Sequence, residues 1–136
     1  MITKDFETAI LNYVFRGDSS AIDSLYVGLC NNQTASRDMT LADLAEVQGD
    51  GYARIEVPRT SVGWLEVLDQ SDCQSIRTSE VIFTPSGQWS PFTRMFLCDC
   101  ASGTEGKLLA ISTPQPSEVT LNSGSSYPVS FELYLK

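Results

Sequence analysis

Tyr127-Pro128-Val129-Ser130-Phe131-Glu132-Leu133-Tyr134-Leu135 is the stretch that decides the fold class. Val129, Phe131, Leu133 and Leu135 fall on one side of it, and Ser130, Glu132 and Tyr134 on the other. Successive side chains of a strand point to opposite faces, so this period of two predicts a strand with one face on a core and one in water. Upstream, between the Gly49-Asp50-Gly51 turn and Pro58, Ala53, Ile55 and Val57 alternate in the same way with Tyr52, Arg54 and Glu56.

Further candidates are Leu25–Cys30, Val62–Leu68, Cys73–Arg77, Glu80–Thr84, Phe92–Asp99, Lys107–Ser112 and Glu118–Leu121. Turns such as Pro85-Ser86-Gly87 and Ser102-Gly103-Thr104 separate them. With Tyr52–Val57 and Tyr127–Leu135 they make about nine short strands at the spacing of a sandwich. No βαβ alternation, internal repeat or low-complexity linker interrupts the series. The expected architecture is mainly β, an antiparallel β-sandwich over 25–136 with an N-terminal helix over 1–17, in one domain.

The helix is expected at Thr3–Arg16. Phe6, Ile10, Tyr13 and Val14 recur at helical spacing, Thr3 can serve as N-cap, Asp5 and Glu7 sit in the favourable first turn, and Gly17 follows as a stop. A second, shorter helix is expected from Leu41 to Val47, with Thr40 at its N-cap and Asp43 completing a capping-box variant. Asn31–Ser36 reads as a loop. Leu11 and Phe15 extend the apolar surface of the first helix beyond its main stripe. A helix apolar on more than one side needs more than one cover, so Phe6, Ile10, Leu11, Tyr13, Val14 and Phe15 form a candidate subunit or shell interface.

Composition limits the chemistry. The chain has 136 residues, 42 % of them hydrophobic and 19 % charged, which suits a soluble globule rather than a membrane span or a disordered chain. Nine Lys and Arg against seventeen Asp and Glu leave a net charge of −8, which opposes a nucleic acid partner. There is no histidine, so no Ser/His/Asp or Cys/His catalytic set can form. The start, Met1-Ile2-Thr3-Lys4-Asp5-Phe6, lacks the apolar stretch of a secretory signal, and the expected setting for Cys30, Cys73, Cys98 and Cys100 is a reducing cytosol.

Cys98 and Cys100 share one face of a predicted strand, a spacing that suits neither a zinc knuckle nor a redox pair. A four-thiolate site would need three separate strands to converge, so these residues read as small buried apolar side chains. No metal or cofactor is expected. Asp69, Asp72, Asp99 and Glu105 lie in or near turns, where solvated charge is the default; two carboxylates facing each other across about 5–10 Å could hydrolyse a glycoside. No Gly-rich loop opens a helix, and no Walker-type lysine follows one. Trp64 and Trp89 stand beside turns, where a ring can stack on a sugar or touch a protein, although core packing is the commoner fate.

The order of several short segments resembles a family of small tailed-bacteriophage structural proteins, usually labelled as tail-fibre proteins. The segments are Ala9-Ile10-Leu11-Asn12-Tyr13-Val14-Phe15-Arg16-Gly17, Leu25-Tyr26-Val27-Gly28-Leu29-Cys30, Gly51-Tyr52-Ala53-Arg54, Ile82-Phe83 with Trp89, Met95-Phe96-Leu97-Cys98-Asp99 with Ser102-Gly103, and Leu108-Leu109-Ala110. The resemblance runs from about Ala9 to the final strand; Val62–Arg77 and the long Ser102–Lys107 turn depart from it. It implies a non-enzymatic virion component with a jelly-roll-like sandwich, made in the host cytoplasm.

Within a virion, a fibre shaft needs length, repeats or a coiled coil, and none is present. The expectation is therefore a capsid decoration or cement protein. Its partners would be itself, as a homotrimer, and the major capsid protein or other virion proteins, with no nucleic acid and no membrane. A tail-fibre or baseplate protein contacting the host surface is the alternative, with a glycan-binding or glycan-active module behind both.

Overall fold

The most uniformly apolar of these segments, Leu25-Tyr26-Val27-Gly28-Leu29-Cys30, becomes the centre of the largest sheet. The computed structural model describes residues 1–18 and 22–135. Helix α1 (Lys4–Arg16) is followed by strands β1 (Leu25–Cys30), β2 (Ile55–Val57), β3 (Leu68–Asp69), β4 (Gln74–Arg77), β5 (Val81–Phe83), β6 (Arg94–Cys98), β7 (Leu108–Ile111), β8 (Tyr127–Val129) and β9 (Glu132–Leu135). The protein is thus mainly β, with one N-terminal helix. The strands pair antiparallel in a four-stranded sheet of order β2-β1-β6-β7, a three-stranded sheet β3-β4-β9 and the pair β5-β8.

The four-stranded sheet is covered on both faces. Val27 and Leu29 join Leu97 and Leu109 in the larger core cluster, together with Val81 and Phe83 of β5, Trp89, Phe92, Leu121, Phe131 and Leu133 of β9. Cys30, Phe96, Cys98, Leu108 and Ile111 point the other way, into a smaller cluster closed by Leu41 with Ala35, Met39 and Leu44. A strand apolar at nearly every position is what burial on both faces requires.

The two faces also explain Gly28. It lies directly opposite Phe96 across the β1–β6 ladder, and the ring lies over it. A Cβ at this position would sit 2.7 Å from Cε1 of Phe96 and closer still to Cζ. Glycine is used here for close approach.

The chain start seals the outer edge of β7. Ile2 bridges Ala110, the amide of Thr3 donates to the Leu109 carbonyl at 2.9 Å, and the amide of Ile111 donates to the Met1 carbonyl at 2.9 Å. Thr3 is fully buried and caps α1, its hydroxyl accepting from the Phe6 amide at 3.3 Å. Gly17, with φ of 69°, closes the helix in the left-handed conformation and donates its amide to the Asn12 carbonyl.

Several sequence expectations are corrected. The Leu41–Val47 helix shrinks to one 3-10 turn, Leu41–Asp43. Its capping box forms, with Thr40 N–H donating to Asp43 Oδ2 at 2.8 Å, but Leu44–Val47 is drawn straight beside the end of β1. There the Asn31 amide donates to the Ala45 carbonyl, and the Val47 amide to the Leu29 carbonyl. Tertiary pairing overrides a weak local helix signal. Glu118–Leu121 contributes only a bridge between Phe92 and Val119, and within Val62–Leu68 only Trp64, which bridges Thr78, and Leu68 are paired as strand.

Tyr127–Leu135 divides at Ser130 and Phe131. Its first part pairs with β5 and its second with β4, so one alternating run serves two sheets. Phe131 and Leu133 are buried as expected, whereas Leu135 is 58 % exposed.

Gly28→Ala is expected to destabilise the fold by about 1–3 kcal/mol through overpacking against Phe96. Urea unfolding should show this as a lower midpoint, and Gly28→Ala with Phe96→Leu should recover part of the loss. A Gly28→Ala midpoint equal to that of the parent protein would contradict the packing argument.

Candidate functional site

Helix α1 is attached to the body by its first half. Besides the Thr3 bonds, the Lys4 amide donates to the Arg37 carbonyl, Arg37 pairs with Glu7, and Lys4 pairs with Asp38 at 2.6 Å. Ala9 is its one buried residue, and Phe6 and Ile10 are half-buried. Beyond Ile10 the helix is more exposed, although Tyr13 and Val14 still line an apolar groove of about 260 Å³ with Ile22, Leu25 and Arg59. Leu11, Tyr13, Val14 and Phe15 are 56, 55, 60 and 78 % exposed. The six residues expected as an interface therefore split: Phe6 and Ile10 pack on the protein itself, and the other four are more than half exposed.

Phe6 and Ile10 also line a second apolar groove of about 260 Å³. Ile2, Val67, Ile76 and, from β9, Leu133 and Leu135 line it as well. β9 itself is an edge strand, pairing with β4 alone. No single segment carries enough of this groove to announce it, because its residues are spread from position 2 to position 135.

A larger concavity, about 780 Å³, lies elsewhere, and Asn31, Glu46, Tyr52, Arg54, Ser90 and Thr104 are among the residues that line it. Its charged centre was not expected from sequence. Ala53 is exposed and Arg54 only 8 % exposed, the reverse of a simple alternation. The Arg54 guanidinium forks onto Glu46, Nε to Oε2 at 2.9 Å and Nη2 to Oε1 at 2.8 Å. It also donates to the carbonyls of Cys100 at 3.0 Å and Gly103 at 2.9 Å and to Cys100 Sγ at 3.2 Å, and lies 5.4 Å from the Phe96 ring centroid.

A guanidinium has five N–H donors, and here all five are engaged. Tyr52 adds its hydroxyl, donating to Glu46 Oε2 at 2.7 Å and accepting from the Leu29 amide at 3.1 Å. The bond to Glu46 holds Arg54 firmly protonated, and burial, joined by the Glu46 carboxylate, holds the Tyr52 proton in place far above the usual range. The arrangement ties the 45–54 segment to the 100–103 loop, with no guanidinium donor left over for an anionic ligand.

The tryptophans take different places. Trp89, expected as an exposed contact, is 2 % exposed. Its indole nitrogen donates to the Asp50 carbonyl at 2.7 Å, and its ring meets Tyr52 edge-on at 5.2 Å and Phe83 at 6.2 Å. The turn beside it folds over the ring, Gly49 lying against it with no room for a side chain. Trp64 is half-buried against the larger cluster, and its enclosed indole nitrogen has no hydrogen-bond partner.

Strand β6 ends at Cys98, which is fully buried, with Cys100 packed beside the same cluster. None of the four cysteines is in a disulfide, and among the described residues no three His, Cys, Asp or Glu side chains gather as metal ligands. Asp69 and Asp72 belong to the β3–β4 hairpin, where Asp69 accepts from Gln74 Nε2 at 2.8 Å. Asp99 follows β6 and accepts from the Lys107 amide at 2.6 Å, closing the Ser102–Lys107 turn. Among the described residues, no helix is long and apolar enough to cross a membrane. No protein-family model matches the chain, and no curated protein matches it significantly.

Removing the Glu46 carboxylate leaves a buried guanidinium without its anion. Glu46→Ala should cost about 2–3 kcal/mol, below the range for a fully enclosed pair because the Glu46 side chain is 27 % exposed. Glu7→Ala, which breaks the exposed pair with Arg37, should change little. Urea midpoints of the two variants check this, and equal effects would contradict it.

Alkaline pH should also unfold the protein. Burial pushes the Cys30 and Cys98 thiols from 9.0 up to about 11 and about 12, and Tyr52 is raised in the same sense. The folded chain holds these protons more tightly than the unfolded chain. Their contribution is therefore complete below about pH 9 and declines between pH 9 and 12. Thermal melts across this window should show a falling midpoint; a midpoint constant to pH 11 would contradict the assignment.

Proposed function

We propose that this protein is a non-enzymatic bacteriophage virion component, most simply a capsid decoration or cement protein with a jelly-roll-like sandwich for its body. The observation that carries the reading is the exposed second half of α1. Leu11, Tyr13, Val14 and Phe15 together leave on the order of 400 Å² of apolar side chain in water, taking ~150–250 Å² for a whole aromatic residue. A patch of this size is typical of the largest apolar patch on a monomer, which is often functional. The saturated Glu46–Arg54–Tyr52 network supports the same reading, since that cleft holds loops together.

The mechanism is mechanical. Copies of the chain, three around a symmetry axis, lay apolar surface across the junctions of an assembled shell. Any partner that binds only the assembled state stabilises it by mass action. The virion setting rests on the resemblance of the segment order to that of small tailed-phage structural proteins. The surplus of seventeen acids over nine bases suits a protein shell better than packaged nucleic acid.

Cryo-microscopy of particles carrying this chain is the test. Density for it on the outer capsid surface, at capsomer junctions, is the expected result, together with loss of particle-bound protein on Phe15→Glu. Density confined to the tail would replace decoration by a tail-fibre or baseplate role.

A further inference from the structure

Asp50-Gly51 is the one Asp-Gly step in the sequence, and no Asn-Gly occurs. Such a step is chemically labile because the amide nitrogen that follows an aspartate can attack the side-chain carboxyl, and glycine carries no side chain to block the approach. Here the step lies at the turn that leads into β2, and both residues are exposed. The Tyr52 amide closes the turn on the Gly49 carbonyl at 3.2 Å, while the Gly51 amide has no acceptor among the described residues. Among those residues the Asp50 carboxylate likewise holds no hydrogen bond or ion pair. It lies against Gly87, where a Cβ would come within 3.1 Å of Oδ2.

Two hydrogen bonds act on the same peptide group. Its carbonyl, that of Asp50, accepts from the Trp89 indole nitrogen at 2.7 Å and from the Ser86 amide at 3.1 Å. Donors on a carbonyl oxygen draw electron density from the attached nitrogen and make its N–H more acidic, which favours the deprotonated amide that attacks. Glycine is also what the turn requires. Gly51 has φ of 81°, and a Cβ on it would sit 2.6 Å from Ser86 Oγ.

We infer that Asp50-Gly51 is a self-modification site, at which the folded chain forms an isoaspartyl linkage and so releases the tether on Trp89. The Gly51 nitrogen loses its proton and bonds to Cγ of Asp50, one carboxyl oxygen leaves as water, and a five-membered succinimide results. Water then adds to either ring carbonyl. Breaking the bond from nitrogen to Cγ restores aspartate. Breaking the bond from nitrogen to the main-chain carbonyl carbon leaves the chain running through Cγ, one methylene longer, with the former carbonyl now a free carboxylate. One water leaves and one enters, so composition and net charge are unchanged. The carbonyl that is lost is the one that holds Trp89, which is buried against Tyr52 and Phe83. The rearranged turn therefore loosens the larger core cluster at its edge.

Prolonged warm incubation of the folded full chain at about pH 5, where an ordinary aspartate is partly protonated, supplies the uncharged carboxyl that the first step consumes. Peptide mapping with fragmentation that separates the two linkages should find isoaspartate at position 50, at unchanged mass and ahead of every other aspartate. The converted fraction should melt at a lower temperature than fresh protein. Asp50→Glu, which must close a larger and slower-forming ring, should fold like the parent and accumulate no such linkage.

An unchanged Asp50 in the folded protein would overturn the inference, and conversion of the urea-unfolded chain alone would trace the protection to the turn. Conversion led by another aspartate would overturn it as well. A converted fraction that melts like fresh protein would overturn the loss of the Trp89 tether.

Discussion

A sheet buried on both faces needs two covers, and in this protein the two are held by different physics. The larger cluster carries its own substance in Phe83, Trp89, Phe92, Phe131 and Leu133. The smaller one is roofed by the 31–46 segment, which brings only Ala35, Met39, Leu41 and Leu44. Such a cover adds little apolar burial, and much of its attachment is polar. Arg54 grips Glu46 near its end, and Arg94 reaches its beginning, donating to the carbonyls of Asn32 at 2.9 Å and Gln33 at 3.2 Å. Both arginines are within a tenth of full burial. A buried guanidinium is tolerable here because each of its three nitrogens finds an acceptor, and each acceptor is thereby fixed in place.

The same division separates the parts of the molecule that are complete from those that are not. Around Arg54, Glu46 and the carbonyls of Cys100 and Gly103 take the guanidinium donors and so tie two loops together. Helix α1 is matched only as far as Ile10. Its first turn has a cap, two ion pairs and a sealed sheet edge behind it, whereas Val14 and Phe15 near its end are 60 and 78 % exposed. A helix of 13 residues has little stability of its own, so the anchored half maintains the shape of the half that projects.

The residues differ in how plainly they announce these roles. β1 and β6 are legible because nearly every position is apolar, and the α1 boundaries are legible because Thr3 and Gly17 are strong local signals. The split of Tyr127–Leu135 is hidden: alternation continues through Ser130, and only the partner strands show that two sheets share the run. Leu41–Val47 carries a genuine capping box, but the edge of β1 competes for its backbone. Arg54 is hidden for a different reason. Its burial depends on Glu46, Cys100 and Gly103 arriving from other segments, and no local pattern records that. The projecting side chains of α1 were legible as surplus apolar surface, while the groove, assembled from residues far apart in the chain, was not.

The register of the central sheet bears on how the chain reaches this state. β1 lies between β2 and β6, and its longest ladder pairs Gly28 with Phe96, so the strand most in need of cover waits for a partner made much later. The seal on β7 is more distant still, joining Ile2 to Ala110. Closing loops of this length comes before the contacts that reward it, a topology that slows folding relative to one built from local contacts. During synthesis β1 emerges with two apolar faces and no ladder, the circumstance in which strands associate with the wrong neighbour. Leu25–Cys30 is short and lies between a polar approach and the polar stretch Asn31–Ser36, which limits how far a mistaken pairing can extend.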